Sequence, residues 1–175
     1  FMTVRKILME PDPILRQKSQ PVDKVDDLTR KLMDDMLETM YLAPGIGLAA
    51  IQIGVPKRII VLDISKDPEK KEPMYFVNPV IVSTSKNNIT YEEGCLSVPG
   101  QFAEIDRPDR CHVKYLDYNG NHKEFKSEGL LATCIQHEID HLEGILFIDY
   151  LSNLKKSMII KKLSKQKKEL ERIVV

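Results

Sequence analysis

The stretch GLLATCIQHEIDHLE, residues 129–143, decides the fold because it has the length and leucine content of a helix. Its apolar residues occupy more than one helix face, which predicts a largely buried helix. Gly144 follows at the position where a left-handed C-cap is expected, so the helix should end there. The polar side chains of this segment therefore need partners inside the protein.

The pattern His-Glu-x-x-His at residues 137–141 predicts a metal site on this helix. His137 and His141 are four residues apart, so both imidazoles lie on one face and can reach one ion, with Glu138 beside it. The alternative is a surface pair of histidines, because a pattern with three fixed letters also occurs by chance. Buried histidines and carboxylates without partners would be strongly destabilising, and metal coordination removes that cost. We therefore favour the metal site.

A third ligand is needed, since catalytic metal sites usually combine three protein ligands with an open water position. Downstream of the histidines, Glu143 is too close in sequence and Asp149 ends a short apolar run, so neither fits well. Upstream, Cys95 lies in the turn-like stretch 92–97 directly after a glycine, where a thiolate can approach a metal closely. Cys95 is the better candidate, and the alternative is a small buried hydrophobic residue. Cys111 and Cys134 fit that alternative more easily.

A glycine-rich segment, GIGLAAIQ at residues 45–52, is the third group of interest. It lacks the Lys and the Ser or Thr of a phosphate-binding loop and follows a predicted helix, which disfavours nucleotide binding. Two uses remain open. Its flat backbone could pair with an extended peptide while Gln52 donates to a developing oxyanion. Alternatively, the segment is a tight turn that ends in a buried amide.

The remaining chain supplies further helices and strands. Apolar spacing predicts helices over 26–40 and, after Ser152 as N-cap, over 154–173. Residues with high β propensity predict strands over 58–64 and 75–82, and a hairpin of 111–118 with 122–126 around a type I′ turn at Asn119-Gly120. The predicted fold class is α+β: antiparallel strands and hairpins packed around a central buried helix, with an N-terminal amphipathic and a C-terminal basic helix.

Composition limits the cellular compartments and the binding partners that are expected for this protein. The 175 residues suit one domain, and 26 Lys plus Arg against 26 Asp plus Glu argue against overall attraction to DNA or anionic membranes. No apolar run reaches the ~18 residues that cross a bilayer. The first residues show neither a secretory nor an organelle-targeting pattern, and three scattered cysteines do not suggest disulfides. We expect a cytoplasmic protein.

The three motifs together resemble the peptide deformylase family, in the order in which that family carries them. They are GIGLAAIQ at 45–52, EGCLS at 93–97 and QHEIDHL at 136–142. Accidental agreement of three motifs is far less expected than agreement of one. The resemblance implies a bacterial-type enzyme with a C-terminal helix, which removes the formyl group from the N-formylmethionine of newly made polypeptides and releases formate.

The resemblance also implies roles for individual residues. The implied ligands of one divalent metal ion are Cys95, His137 and His141. The native ion is implied to be Fe²⁺, and the same ligands accommodate Zn²⁺, Ni²⁺ or Co²⁺. Glu138 is implied to be the general base and acid when metal-bound water attacks the formyl carbon. The Gln52 side-chain amide and the Leu96 backbone N–H are implied to stabilise the oxyanion.

The implied substrate is an extended peptide that lies antiparallel to residues 45–47. The residues implied to contact it are Ile46, Gly47, Tyr91, Glu93, Gly94, Leu130, Thr133 and Cys134. Two positions depart from the family pattern: Thr133 is more polar than the usual aliphatic residue, and Phe102 stands where an arginine near the mouth is common. Arg107 and Asp140 match a pair that orients the ligands, and a solvated Arg107 is the alternative.

The C-terminal segment is the most basic part of the chain. Residues 155–175 contain eight Lys or Arg and two Glu, a local charge of +6. This run is either a solvated helix face or, as the resemblance implies, a helix that docks on the ribosome. We expect a catalytic domain over 1–153 and a basic helix over 154–175, packed on that domain or extending from it. The implied partners are N-formylmethionyl nascent polypeptides, with no membrane and no specific DNA.

Two other functions are compatible with parts of the pattern. A structural protein could use the cysteine and the two histidines in a closed metal site with a fourth protein ligand. Glu138 and Gln52 argue against this, because a structural site has no use for either. An endopeptidase of the zincin type would need a convincing ligand downstream of His141, and none is present in the sequence.

Overall fold

Three helices and seven strands make up the computed structural model, which describes residues 3–174, with only the backbone for Ile173 and Val174. Residues 1–2, at the start of the first predicted domain, and residue 175, at the end of the second, lie outside the described residues. The helices are α1 (Asp27–Leu42), α2 (Gly129–Leu142) and α3 (Asn153–Val174). The strands are β1 (Gly47–Ala49), β2 (Ile59–Leu62), β3 (Met74–Thr84), β4 (Asn88–Cys95), β5 (Val98–Pro108), β6 (Arg110–Leu116) and β7 (His122–Glu128). Short 3₁₀ helices span Pro13–Arg16, Ala50–Ile53 and Phe147–Tyr150.

The strands form one large and one small antiparallel sheet. The large sheet has the order β1-β2-β3-β6-β7, and β4 pairs with β5 in the small sheet. Because successive side chains of a strand point to opposite faces, Ile60 and Leu62 of β2 pack in the cluster that contains α2, whereas Ile59 and Val61 pack in the cluster that contains α1. The α2 helix also contacts β4 and β5. This arrangement confirms the predicted α+β class with a central buried helix.

Local sequence signals set the ends of α1 and α2. The Asp26 carboxylate accepts a hydrogen bond from the Thr29 backbone N–H at 2.9 Å, so Asp26 is the N-cap of α1. Gly144 follows α2 with a φ of 76°, as predicted. A Cβ at Gly144 would lie 2.4 Å from the Arg16 carbonyl oxygen, so both the conformation and the close approach require glycine here.

The β6–β7 hairpin is confirmed, but its predicted type I′ turn is wrong. Gly120 has a φ of 84°, whereas Asn78 is the single non-glycine residue in the described chain with a positive φ, so Asn119 does not have the required conformation. The Asp117 carboxylate instead accepts hydrogen bonds from the backbone N–H groups of Asn119 and Asn121, both at 2.9 Å. This aspartate-centred turn makes the connection longer than two residues.

The β4–β5 hairpin was not predicted from the sequence. Strand β4 alternates between exposed and half-buried residues and has few large apolar side chains, so its pattern is weak. Cys95 is the last residue of β4 and pairs with Val98 across a tight turn at 96–97. The turn-like environment predicted for 92–97 is therefore confirmed only at its end.

The α3 helix begins at Asn153, one residue before its predicted start. The Ser152 hydroxyl accepts a hydrogen bond from the Lys155 backbone N–H at 3.3 Å, as expected of an N-cap. Leu163 is buried in a cluster with Val98, Ile105 and Phe147, so α3 packs on the rest of the protein. The division into domains at residue 153 stays a prediction. Within residues 3–174, no helix combines the length and the apolar character that a membrane span needs.

Candidate metal centre

Cys95, His137 and His141 come together where the end of β4 meets α2. One ligand atom from each residue lies within 4.8 Å of the others. The Cys95 Sγ is 3.4 Å from His141 Nε2, and the centroids of the two imidazole rings are 5.1 Å apart. A thiolate and two imidazoles form a donor set that suits zinc and other borderline-soft transition metals. These three residues could hold one such ion.

A network of ion pairs contacts the His137 ring at Nδ1, on the side away from Cys95 and His141. His137 Nδ1 lies 2.8 Å from Glu93 Oε1, which leaves the opposite ring nitrogen, Nε2, for a ligand role. Arg107 donates to both Glu93 oxygens at 2.7 and 3.0 Å, and to Asp140 at 2.9 Å. Arg107 is buried, so its solvated alternative is wrong. The two predicted partners, Arg107 and Asp140, do bridge the small sheet and α2.

The electrostatics of the site differ between the two histidines. Burial would lower the pKa of His137, but Cys95 and Glu93 beside it hold that pKa well above its ordinary value. Burial and the neighbouring charge of His137 lower the pKa of His141 well below its ordinary value. Burial opposes ionisation of Glu93 too, yet His137 and Arg107 keep the pKa of Glu93 below its ordinary value. Glu93 is thus an anion beside His137, at the edge of the metal-ligand cluster formed by Cys95, His137 and His141.

Glu138 is buried beside the three candidate ligands without belonging to them. Its Oε1 is 3.7 Å from His137 Nε2, and its Oε2 is buried without a hydrogen-bond partner. Burial raises the pKa of Glu138 to about 7, although the charges of His137 and Arg107 oppose this shift. A Cβ at Gly47 would lie 2.8 Å from Leu62 Cδ2 and 2.9 Å from Glu138 Oε1, so a larger residue here would displace one of these side chains. A buried carboxyl group with a raised pKa and one oxygen without a hydrogen-bond partner is typical of a proton-transfer site.

Gln52 reaches the same site from the 3₁₀ helix that follows β1. Its Oε1 accepts a hydrogen bond from the Ala49 N–H at 2.9 Å, which fixes the orientation of the amide. Its Nε2 donates to Ser97 Oγ at 3.0 Å and lies 3.5 Å from Cys95 Sγ. The amide N–H groups therefore point to the metal-ligand cluster, while the oxygen points away from it.

These groups lie at the bottom of an open cleft of about 770 Å³. Every residue predicted to contact the substrate lines it: Ile46, Gly47, Tyr91, Glu93, Gly94, Leu130, Thr133 and Cys134. Gln52, Leu96 and Glu138 line it as well, whereas His141 lies beneath the cleft lining and is fully buried. The structure thus brings the predicted residues together, and their individual roles stay predictions.

A family model described as polypeptide deformylase matches residues 4–157. A peptide deformylase from Pelagibacter ubique is 71% identical over 99% of this chain and 100% of its own length. The chain belongs to the peptide deformylase family. It is therefore an enzyme of that metal-dependent family, whose members deformylate nascent peptides, and the endopeptidase alternative is not supported.

Solved structures of the family share this fold. The peptide deformylase of Ehrlichia chaffeensis in complex with actinonin has a TM-score of 0.90 and 48% identity, covering 94% of this chain and 98% of its own. A class I type b peptide deformylase from Acinetobacter baumannii, crystallised with Met-Ala-Ser bound, has a TM-score of 0.81 and 32% identity, covering 86% and 100%. This deformylase fold therefore accommodates both ligands in those relatives.

Three neighbours of the site were missed by sequence reasoning. Ser97 holds the Gln52 amide, the Phe147 ring stacks 6.2 Å from the His137 ring, and the Tyr150 hydroxyl donates to Asp140 at 2.6 Å. Ser97 lies in a quoted motif but gave no chemical signal of its own. Phe147 and Tyr150 lie in a short 3₁₀ helix whose place beside α2 depends on tertiary packing, so no local pattern could have found them.

Proposed function

We propose that this cleft removes the formyl group from N-formylmethionine at the start of newly made polypeptides, with one divalent ion held by Cys95, His137 and His141. One observation carries the proposal. Three candidate ligand atoms meet where Cys95 and His137 line an open cleft and His141 lies just beneath it, and the buried carboxyl group of Glu138 lies beside them. A closed structural site would need neither the cleft nor Glu138.

The donor set also guides the choice of metal. One thiolate and two neutral imidazoles leave a divalent centre with a net charge of about +1, and they suit borderline-soft ions. The donor set suits Fe²⁺, Zn²⁺, Ni²⁺ and Co²⁺ alike, and the family resemblance implies Fe²⁺ as the native ion, which the other three could replace. When bound, the ion supplies Lewis acidity and lowers the pKa of a coordinated water to about 7.

Glu138 is the proposed proton carrier. With a pKa of about 7, it can accept and release a proton near neutral pH. It would take the proton of the attacking water and deliver it to the amine of methionine as the formyl C–N bond breaks. Formate and a free N-terminal methionine are the products. The burial that raises the pKa of Glu138 is therefore part of the proposed mechanism.

Gln52 and Leu96 are the proposed donors to the oxyanion of the tetrahedral intermediate. The Gln52 amide is held at its oxygen by Ala49 N–H and at its nitrogen by Ser97, so its orientation is fixed before substrate arrives. The Leu96 backbone N–H lies in the tight turn directly after Cys95. Losing one such donor typically costs ~10² to 10³ in rate.

The substrate would lie extended along β1, with backbone hydrogen bonds to Ile46, Gly47 and Gly94. The methionine side chain would enter the part of the cleft formed by Leu130, Thr133 and Cys134. This mode adds a strand to an exposed sheet edge, so main-chain bonds give affinity and the pocket gives specificity. The remaining proposed contacts, Tyr91 and Glu93, line the same cleft.

The proposed place of action is the bacterial cytoplasm, close to the ribosome. Lysines along α3 are exposed, including Lys161, Lys162 and Lys165, and can meet phosphate groups of ribosomal RNA. Such contacts would bring the enzyme to nascent chains and would weaken steeply with salt.

Formate release from formyl-Met-Ala-Ser under anaerobic conditions, with metal analysis of the same sample, tests the function. Glu138→Ala should keep one equivalent of metal and lower kcat by ~10² to 10⁴, because Glu138 moves protons and is not a ligand. Glu128→Ala, at an exposed residue just before α2, is the control and should change neither quantity. Loss of metal in Glu138→Ala, or undiminished turnover, would refute the assignment.

A further inference from the structure

The short 3₁₀ helix Phe147–Tyr150 contacts the metal-ligand cluster from outside the cleft, although it contains none of the motifs. At its first residue, the Phe147 ring stacks on the His137 ring with the centroids 6.2 Å apart. At its last residue, the Tyr150 hydroxyl donates to Asp140 Oδ2 at 2.6 Å. The described residues that line the cleft do not include Tyr150. This tyrosine therefore acts on the residues around the cluster and not on an occupant of the cleft.

A chain of polar contacts leads from Tyr150 to the His137 ring. The Asp140 oxygen that accepts from Tyr150 also accepts from Arg107 Nη1 at 2.9 Å. The Arg107 Nε and Nη2 atoms donate to the two oxygens of Glu93 at 2.7 and 3.0 Å, and Glu93 Oε1 lies 2.8 Å from His137 Nδ1. The hydroxyl of a surface tyrosine is thus connected with the imidazole of a candidate metal ligand.

The planar guanidinium of Arg107 makes this chain of contacts stiff. Its N–H groups have a fixed fork geometry, so the bond to Asp140 and the pair of bonds to Glu93 cannot tilt independently. The Tyr150 ring packs on the same guanidinium, with its centroid 5.0 Å from Arg107 Cζ. A movement of the Asp140 carboxylate therefore changes the position of the Glu93 oxygen that His137 meets.

The Tyr150 hydroxyl fixes the outer end of the chain of contacts. The Asp140 side chain is 19% exposed, whereas those of Arg107 and Glu93 are each 5% exposed, so only the Asp140 carboxylate has room to turn toward solvent. Burial and the bond to Asp140 raise the pKa of Tyr150 to about 12, so its hydroxyl keeps the proton that it donates at neutral pH. Without this donor, Arg107 alone among the described side chains would hold Asp140.

The neighbouring residue Asp149 fixes the backbone that carries Tyr150. The Asp149 Oδ2 atom accepts hydrogen bonds from the Leu146 backbone N–H at 3.1 Å and from Arg16 Nη1 at 2.6 Å. Phe147 is buried at the other end of the same 3₁₀ helix. The Tyr150 ring is 53% exposed, so it contributes little to this packing. A substitution that removes only its hydroxyl therefore leaves the helix in place.

We propose that Tyr150 is a positioning residue of the metal centre. Its hydroxyl fixes the chain of polar contacts described above, and thereby the orientation of the His137 ring. The site then retains its ion longer than it would with phenylalanine at this position. Loss of a partner that contacts a ligand directly typically weakens metal binding ~10- to 100-fold, and we expect about three- to tenfold for this more distant residue. The inference rests on the proposed function, because it concerns the same metal ligands.

The test uses Tyr150→Phe, which removes the hydroxyl and keeps the ring on Arg107. Loss of Co²⁺ from the loaded variant to excess EDTA should be about three- to tenfold faster than from the wild type. The visible absorption bands of the bound Co²⁺, which report the geometry of its ligands, should shift. With formyl-Met-Ala-Ser, kcat should fall about threefold while KM stays unchanged, because Tyr150 lies outside the lining of the cleft.

Tyr118→Phe is the matched control. The Tyr118 hydroxyl also donates to a carboxylate, that of Asp34 on α1, at 3.1 and 3.2 Å, but this pair lies outside the site. Its rate of Co²⁺ loss and its absorption bands should equal those of the wild type. A double variant tests whether the effect passes through Asp140: once Asp140→Ala is present, adding Tyr150→Phe should change the rate of Co²⁺ loss by less than about twofold.

Equal rates of Co²⁺ loss in the wild type and Tyr150→Phe would overturn the positioning role. Equal acceleration in both tyrosine variants would also overturn it, since that result would report a general loss of stability. The full effect of Tyr150→Phe in the presence of Asp140→Ala would exclude the proposed chain of contacts. Release of no formate by the wild type would instead refute the proposed function, and the rates of metal loss, which need no substrate, would decide the role of Tyr150 in that case.

Discussion

Helices α2 and α3 both carry many polar side chains, but they use them in opposite ways. In α2, His137, Glu138 and His141 are buried, and packing against two sheets fixes their neighbours. In α3, the lysines other than Lys156 are exposed, while Leu163 packs against the protein. The difference predicts that substitutions in α2 act through the position of each atom, whereas substitutions of the exposed α3 lysines act through the total charge. Substitutions of buried residues should therefore have larger effects on activity and stability than substitutions of exposed residues.

The largest effect is expected at Cys95, the proposed metal ligand that comes from outside α2. Cys95→Ala should lose the bound metal and lower kcat/KM by at least ~10³, because two histidines alone form an incomplete site. Metal content, turnover and the free energy of unfolding should fall together. Cys111→Ala is the control at a buried cysteine that lies outside the cluster, and it should retain the metal. A full equivalent of metal in Cys95→Ala would mean that another residue is the third ligand.

The second prediction concerns the buried cation behind His137. Arg107→Met should lower the free energy of unfolding by about 3 to 5 kcal/mol, because it leaves Glu93 buried without its main cationic partner. It should also weaken metal binding ~10- to 100-fold, since Glu93 orients His137. Urea denaturation and metal titration measure the two effects.

Arg110→Met provides the exposed comparison. Arg110 lies 3.8 Å from Glu128, and both side chains are at least 70% exposed. Solvent screens such a pair, so its loss should change the free energy of unfolding by less than about 1 kcal/mol. Similar losses of stability in both arginine variants would contradict the contrast between buried and exposed charges.

The third prediction uses Asp35, a buried carboxylate whose cationic partners are partly exposed. Burial by itself would raise the pKa of Asp35, but hydrogen bonds from Lys31, Thr3 and Arg5 lower it to about 2. A lowered pKa in the folded state stabilises the protein above the unfolded pKa of about 3.8, and this contribution is lost as the pH falls through about 2. Because solvent screens the exposed partners, we expect it to be about 1 kcal/mol.

Asp35→Asn should therefore be about 1 kcal/mol less stable than the wild type at pH 6, and the gap should close between about pH 4 and pH 2. Thermal or urea unfolding across this pH range measures it. Asp27→Asn on the same helix, where the carboxylate is fully exposed, is the control and should show no such gap. A gap for Asp35→Asn that is as large at pH 2 as at pH 6 would mean that hydrogen-bond geometry, and not the charge, stabilises the contact between α1 and the N-terminal segment.

The smallest effect on the enzyme itself is expected in α3. Replacing Lys161, Lys162 and Lys165 together by Gln should change the free energy of unfolding by less than about 0.5 kcal/mol and leave turnover of formyl-Met-Ala-Ser intact. Co-sedimentation with ribosomes at low salt should decrease, because three phosphate-binding charges are lost. Replacing exposed Lys66, Lys70 and Lys123 by Gln is the charge-matched control. Equal ribosome binding in both triple variants would identify α3 as a solvated helix face.

Truncation is a less suitable probe of α3 than these substitutions. Removing the helix after Asn153 would also remove Leu163, which packs with Val98 and Phe147. A buried leucine contributes about 1.5 to 3 kcal/mol, so a truncated protein would lose stability together with charge. The lysine variants separate these two effects.

The sequence by itself determined those structural features that depend on residues close together in the chain. The spacing of His137 and His141 placed both on one face of α2, and Gly144 ended that helix, because helix geometry and the left-handed conformation are local properties. The glycine-preceded, turn-like stretch at 92–97 made Cys95 the better candidate for a third ligand, and the family resemblance implied the same residue, but no helix or strand period joined it to the histidines. The turn type at Asn119-Gly120 was wrong because the Asp117 side chain provided a competing local solution.

Only the tertiary structure decided how distant segments meet. It placed Glu93 and Arg107 behind His137, brought Phe147 against the same ring, and set the N-terminal residues Val4 and Arg5 into the cleft wall. No periodic pattern in the sequence predicts these contacts, because each of them joins residues from separate elements. These contacts form only when the two sheets pack against α2. The free energy gained by burying apolar surface then offsets the loss of chain entropy over the whole domain, which no single segment could achieve.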